Sequence, residues 1–455
     1  MSFSLEQKLA QFDSPIQMLR DSEHKLFRHA YTREYSNWRD EQAASRKTAL
    51  ILDQSNHMNE TYFRGGADLV RLLSDTCINS FKGWGRNKAK QNMVCAPDGN
   101  LVATAVLFGL EEDEVSVVGP IACANWMKYQ AEIGNYDVEV TTDVRTAERG
   151  YATGGRNTYR YEIEGPAAWA ILEKAIGGPL PEVRFFGMTE FTIDGCLVRA
   201  LKHTMAGKVG SDVHGLEMWG PASEGKKVMD ALVKAGEEFG MIKGGALTYY
   251  STAIESGYLS QPVPAIYTGD DMKPYREWLS GDDYEAKFSV GGSFASDDVK
   301  DYYRNPFDMG YGHILKFDHD FIGREALEKI KDQPHKKKVW LKWNDDDVMN
   351  IIRSSLFDEA GTGAKFLDYP LSRYARVQMD SVHDGKNFVG TSATAGYTRN
   401  VGAFSSLAMI DPESAVDGKE VVITWGEENG GTRKLGVERH VQTEIRATVS
   451  TTMLV

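Results

Sequence analysis

Along the first fifty residues the apolar positions Leu5, Leu9, Phe12, Ile16 and Leu19 recur at helical spacing within a polar background, which predicts short helices. Residues 48–54 (TALILDQ) then read as a buried strand and 67–73 as a helix. Residues 101–107 and 115–118 read as two strands separated by the acidic turn Glu111-Glu112-Asp113. The segment 159–163 (YRYEI) alternates as a strand does, Gly165-Pro166 breaks it, and 167–175 returns to helical spacing. Three further strands are expected at 183–187, 191–193 and 196–201. Residues 226–239 form an amphipathic helix with Val228, Leu232, Val233 and Ala235 on one face, and Phe321-Ile322-Gly323-Arg324 leads into a short helix at 325–330. Tyr249 and Tyr250 stand in a β-branched, aromatic run that reads as a strand, where neighbours point to opposite faces and only one of the two can serve a site.

After Gln333-Pro334 the texture changes. Residues 338–343, 388–390, 420–425 and 443–449 read as strands between Gly-rich turns, with a hairpin tip at Gly430-Gly431 and the acidic Asp345-Asp346-Asp347 in a turn. Mixed strands and helices joined by short turns predict an α+β fold. At 455 residues the chain exceeds one ordinary domain. The division expected is a catalytic region over 1–334, built of two interleaved subdomains, and a C-terminal β domain over 335–455, a small barrel.

Composition is that of a globular protein, 42% hydrophobic and 11% aromatic. The net charge of -13 argues against nucleic acid as a partner, because phosphate binding requires clustered cations. The short basic run His335-Lys336-Lys337-Lys338 falls at the expected domain junction and reads as a solvated linker. Cys77, Cys95, Cys123 and Cys196 form no paired metal or redox motif and suit a reducing compartment. The first residues lack the basic-then-apolar pattern of a signal peptide, and the longest nearly apolar stretch, 101–110, is about half a membrane span. A cytoplasmic location is the expectation.

Three constellations carry candidate chemistry. Gln54 and His57 follow a buried strand, at the open end where a scaffold can hold polar groups toward substrate or water; a capped turn is the plainer reading. Residues 210–217 (GSDVHGLE) concentrate ionisable groups, and Glu217 could grip a heterocycle by charge-assisted hydrogen bonds. His214 and Glu217 share a metal-ligand spacing, but the flanks are not helical and no second such motif exists, so no metal is expected. Within 244–258 (GGALTYYSTAIESGY), Tyr249 or Tyr250 could donate a proton to a leaving oxygen, since a phenol of pKa about 10 matches a phenolate leaving group. Phe81, Trp84, Phe185 and Phe186 could wall an aromatic pocket or simply pack a core.

Taken in order, residues 49–58 (ALILDQSNHM), 159–172 (YRYEIEGPAAWAIL), 207–221 (GKVGSDVHGLEMWGP), 305–327 (NPFDMGYGHILKFDHDFIGREAL) and 388–411 (FVGTSATAGYTRNVGAFSSLAMID) resemble the folate-binding aminomethyltransferase family of the glycine-cleavage T-protein type. Residues 37–42 (NWRDEQ), 249–258 (YYSTAIESGY) and 264–279 (PAIYTGDDMKPYREWL) are similar, more narrowly, to its tetrahydrofolate-dependent O-demethylases of vanillate and syringate.

That resemblance implies a T-protein-like folate-binding core. It also implies tetrahydrofolate as methyl acceptor and a methoxylated aromatic acid as donor, in the degradation of lignin-derived aromatics. It implies Tyr249 as proton donor, His57 and Gln54 as pocket residues near the reacting oxygen, Glu217 as the pterin carboxylate and Tyr258 against the folate; beside these, Phe185 and Trp84 are expected around the substrate and Tyr250 around the folate. Two positions depart from the pattern. The paired aspartates of the amine-handling T-proteins are replaced by Ala103 and Thr104, and the Arg that could clamp a benzoate in vanillate demethylases is replaced by Pro120. The rival readings are demethylation of a sulfonium such as dimethylsulfoniopropionate, folate binding without turnover, and aminomethyl transfer with a lipoyl carrier.

Overall fold

The computed structural model describes residues 3–23, 32–144, 155–203, 214–259, 262–431 and 434–454. Three sheets organise them. The first has six strands in the order Met241–Gly244, Ala49–Asp53, Thr158–Gly165, His214–Pro221, Cys196–Leu201 and Met188–Ile193, antiparallel except for the first pair. The second has five antiparallel strands, ordered Ala89–Cys95, Leu101–Glu111, Glu114–Gly119, Asn59–Arg64 and Glu139–Asp143. The third closes on itself. Asn387–Thr398, Asp380–Asp384, Glu420–Trp425, Thr443–Ser450, Lys337–Trp343 and Ala403–Ile410 follow one another, and the last pairs back to the first to complete a barrel. The α+β architecture and the C-terminal barrel expected from the pattern are therefore present.

The strand Thr158–Gly165 shows how the pattern of side chains builds the site. Tyr159, Tyr161 and Ile163 join the apolar core beneath helices Ala168–Ile176 and Gly225–Gly236. The alternate face carries Arg160, Glu162 and Glu164, all buried. Three ionisable groups on one buried face need partners, and these come from the neighbouring sheet and strand.

The segment holding Tyr249 and Tyr250 is a helix, Ala246–Ser256, and not the strand its composition suggests. Its N-terminus is held from far away in the chain. The buried Glu41 carboxylate accepts from Gly245 N–H at 2.8 Å and from Thr248 Oγ1 at 2.9 Å, placing a negative charge at the positive end of the helix. The helix stops at Gly257, whose φ of 71° is left-handed. A Cβ at Gly257 would strike the Trp340 ring of the barrel.

Three further expectations are corrected. Asp345, Asp346 and Asp347 form the first turn of a helix, Asp345–Phe357, capped by Asn344 and favoured by the helix dipole. Residues 183–187 form no strand, since Phe186 adopts a φ of 59° and Gly187 folds back to bond the Arg184 carbonyl. Gly430-Gly431 lies in a long connection between Glu420–Trp425 and Thr443–Ser450 and is not a tight hairpin tip.

Candidate active site

A cavity of 710 Å³ lies where the three sheets converge, beside the Ala246–Ser256 helix. Gln54 and His57 enter it from the end of Ala49–Asp53, Glu162 and Glu217 from the first sheet, Val106 and Phe108 from the second, and Lys338 and Met409 from the barrel. Its size is within the range of small-molecule and cofactor pockets.

One end is built from carboxyl groups. Arg160 bonds Glu60 through Nε at 2.9 Å and Glu217 through Nη1. Its guanidinium lies 4.9 Å over the Phe108 ring and 5.1 Å over Trp219. The other Glu217 oxygen is 2.7 Å from His203 Nε2. Burial pushes the Glu217 carboxyl up, but Arg160 and His203 outweigh it and hold the pKa down to about 2. Glu217 is thus an ionised acceptor fixed in place.

Glu162 behaves oppositely. Burial first, and then the neighbouring Glu164 carboxyl, raise its pKa well above the ordinary carboxylate range. It is a neutral acid able to donate, bonded by the Gln54 amide and 3.6 Å from His203 Nδ1. Two carboxyl groups at one wall, one ionised and one protonated, can both accept from and donate to a heterocycle.

The helical register changes what the tyrosines can do. Both line the cavity and both meet His57, Tyr249 at 4.9 Å and Tyr250 at 5.4 Å between ring centroids, each edge to face. The expectation that only one could face the site fails because residues adjacent on a helix are turned by about 100°, not 180°. The Tyr250 hydroxyl lies 3.2 Å from His57 Nδ1. Tyr249 is the more buried, and burial pushes its pKa well above the usual phenol value. Tyr258 also lines the cavity, its pKa raised to about 12 by burial.

Of the expected site residues, Gln54, His57, Phe185, Glu217, Tyr249, Tyr250 and Tyr258 converge on the cavity. Trp84 does not. It packs edge to face on Phe81 at 5.5 Å, beneath the Lys90 ammonium, outside the lining. Pro120 is in the lining, and Thr104 hydrogen-bonds Tyr258. Residues 207–213 of the acidic segment lie outside the described residues; His214, within them, stacks on Trp169 at 4.7 Å.

Sequence reasoning missed Glu162, His203, Arg304, Arg373 and Arg376, all in the wall. The first had a signal: Arg160, Glu162 and Glu164 repeat every second residue through an otherwise apolar strand. The arginines had none, because the cavity they share with Tyr250 is assembled only when the barrel docks.

The chain matches the GCVT N-terminal domain over residues 8–263. It is 42% identical to the syringate O-demethylase of Sphingobium sp. (strain NBRC 103272 / SYK-6), covering 92% of this chain and 88% of that protein. It is 27% identical to the sesamin methylene transferase of Sinomonas sp. (strain No.22), over 86% and 85% of the two chains. The crystal structure of the glycine cleavage system aminomethyltransferase T from Bartonella henselae superimposes with a TM-score of 0.60 at 14% identity, covering 96% of this chain and 95% of that one, a likeness of fold. The converging cavity, the T-protein fold and the sequence match lead to one assignment: the chain belongs to the GCVT family.

Proposed function

We propose that this protein is a tetrahydrofolate-dependent O-demethylase, which moves the methyl group of a methoxylated aromatic acid of the syringate class to tetrahydrofolate and releases a phenol. The observation that carries the reading is the meeting of the Tyr249–His57–Tyr250 cluster with the Glu162 and Glu217 carboxyls in one cavity, in a chain 42% identical to a syringate O-demethylase.

The wall fits a reduced pterin. Ionised Glu217 can accept from ring N–H and amine groups, and neutral Glu162 and Gln54 can bond ring acceptors. Asn79 Oδ1 and Ser256 Oγ, both on lining residues, are buried without a hydrogen-bond partner, as expected of groups awaiting a polar ligand. Tyr258 would lie against the folate. When bound, tetrahydrofolate supplies the nucleophilic N5 that takes the methyl group.

The protein's own contribution is alignment and the handling of one proton. A fixed wall on each side of the transferred carbon can remove several kcal/mol of the barrier, about 7–11 at the extreme. Tyr249, kept neutral by burial, holds its proton until a phenolate forms beside it. The same burial makes that phenolate more basic than in water, so donor and acceptor stay matched. His57 packs against both tyrosines and orients them, and Gln54 and Phe185 complete the substrate side.

A sulfonium donor is disfavoured by the cations Arg304, Lys338, Arg373 and Arg376 in the lining. The test is incubation with tetrahydrofolate and syringate, vanillate, 3-O-methylgallate, guaiacol or dimethylsulfoniopropionate. Equal amounts of 5-methyltetrahydrofolate and demethylated phenol from an aromatic acid are expected. Methylfolate from the sulfonium alone would overturn the reading.

A further inference from the structure

We propose that Arg373 and Arg376 form a carboxylate-binding subsite of the cavity, and that the carboxylate it takes belongs to the aromatic acid. The identity of that acid rests on the demethylase reading.

Both arginines line the cavity. Arg373 donates only to backbone, from Nε to the Ala375 carbonyl at 3.1 Å and from Nη2 to the Arg376 carbonyl. Arg376 lies with its guanidinium carbon 4.2 Å over the Tyr284 ring, and its Nε is buried with no hydrogen-bond partner. Neither is paired with a carboxylate among the described residues, although the chain carries 65 acidic side chains. Two nearby guanidinium groups, half-buried and without counter-charge among the described residues, are costly unless a ligand supplies the anion. Burial, and then the charge of Arg376, lower the Arg373 pKa to about 10, the mark of a cation lacking its partner.

Position selects the ligand. Arg373 is close enough to Tyr250 to interact with it electrostatically, and the Tyr250 hydroxyl bonds His57. The pair is therefore on the side of the proton-handling cluster. Three further cations, Lys90, Arg304 and Lys338, also line the cavity, and Lys338 Nζ bonds the Gly257 carbonyl at 2.8 Å, one residue from Tyr258. The lining thus holds cations enough for two anionic ligands, an aromatic acid and the glutamyl tail of a folate. A planar guanidinium fork grips a carboxylate in two parallel hydrogen bonds. Pro120, where the resemblance would place an Arg, offers no such donor.

The test is calorimetric binding of syringate, of its neutral carboxamide and of tetrahydrofolate, each alone, to the native protein and to R373K, R373Q and R376Q. Syringate affinity is expected to fall about tenfold or more in both Gln variants. R373K should keep part of it, the carboxamide should bind weakly throughout, and tetrahydrofolate should bind as in the native protein. Loss of tetrahydrofolate affinity with syringate unaffected would assign the pair to the glutamyl tail and overturn the proposal. Unchanged syringate affinity in all variants, or no syringate binding to the native protein, would overturn it as well. Arginine-dependent syringate binding without methyl transfer would leave the subsite standing and remove the demethylase reading.

Discussion

The Tyr250 hydroxyl lies 3.2 Å from His57 Nδ1, while the Tyr249 ring meets the same imidazole edge to face at 4.9 Å. This asymmetry separates the two phenols. On the proposed mechanism Tyr249, the more buried of the two, faces the leaving oxygen, and Tyr250 holds His57 in place. Tyr249→Phe should lower kcat about 10²–10⁴-fold with little change in KM, the range of a lost general acid. Tyr250→Phe, which removes one hydrogen bond, should cost about tenfold or less. Steady-state formation of 5-methyltetrahydrofolate reads both, and a larger loss in Tyr250→Phe would exchange the roles.

Glu41 is the remote cap of the helix Ala246–Ser256. Its carboxylate also accepts from Tyr35 N–H at 2.7 Å and Ser36 N–H at 2.9 Å, so it joins the chain before helix Trp38–Lys47 to the start of Ala246–Ser256. Glu41→Gln turns an amide N–H toward buried backbone donors. A loss of about 1–3 kcal/mol in stability is expected, measured by urea unfolding. A variant as stable as the native protein would show that the cap is dispensable.

Stability should depend on pH through Glu285. Burial raises its pKa to about 7 in the folded state, although Asn125 Nδ2 bonds both its oxygens at 3.1 Å. A carboxyl raised above its unfolded value of about 4.5 binds more protons folded than unfolded between the two values, so its contribution to stability falls as pH rises from about 4.5 through 7. Glu285→Gln removes that titration. Unfolding midpoints between pH 5 and 7.5 should decline less in the variant than in the native protein, and parallel curves would refute the assignment.

Gly257 links helix end to barrel. Its left-handed backbone and the Trp340 ring leave no room for a methyl group. Gly257→Ala should cost about 1–3 kcal/mol and shift Tyr258. The expected signature is a raised KM for tetrahydrofolate beside a lowered unfolding midpoint.

The sequence by itself determined most elements, the barrel and the order of family motifs, since these rest on periodicity and local breakers. The strand Ala49–Asp53 with Gln54 and His57 at its end was legible for that reason, as was Glu217 on a neighbouring strand. The tertiary structure decided what local preference could not. Thr248, Tyr249, Tyr250, Ser251 and Thr252 favour a strand by composition, yet a carboxylate about two hundred residues earlier caps them into a helix and turns both phenols to His57. Trp84 was drawn into its own small aromatic contact, while Arg373 and Arg376 reached the cavity from beyond the first barrel residues. Charge in a sequence has no direction; only packing decided that the Glu162 carboxyl is raised, that the Glu217 carboxyl is lowered, and that Arg373 and Arg376 line the cavity with no carboxylate partner among the described residues.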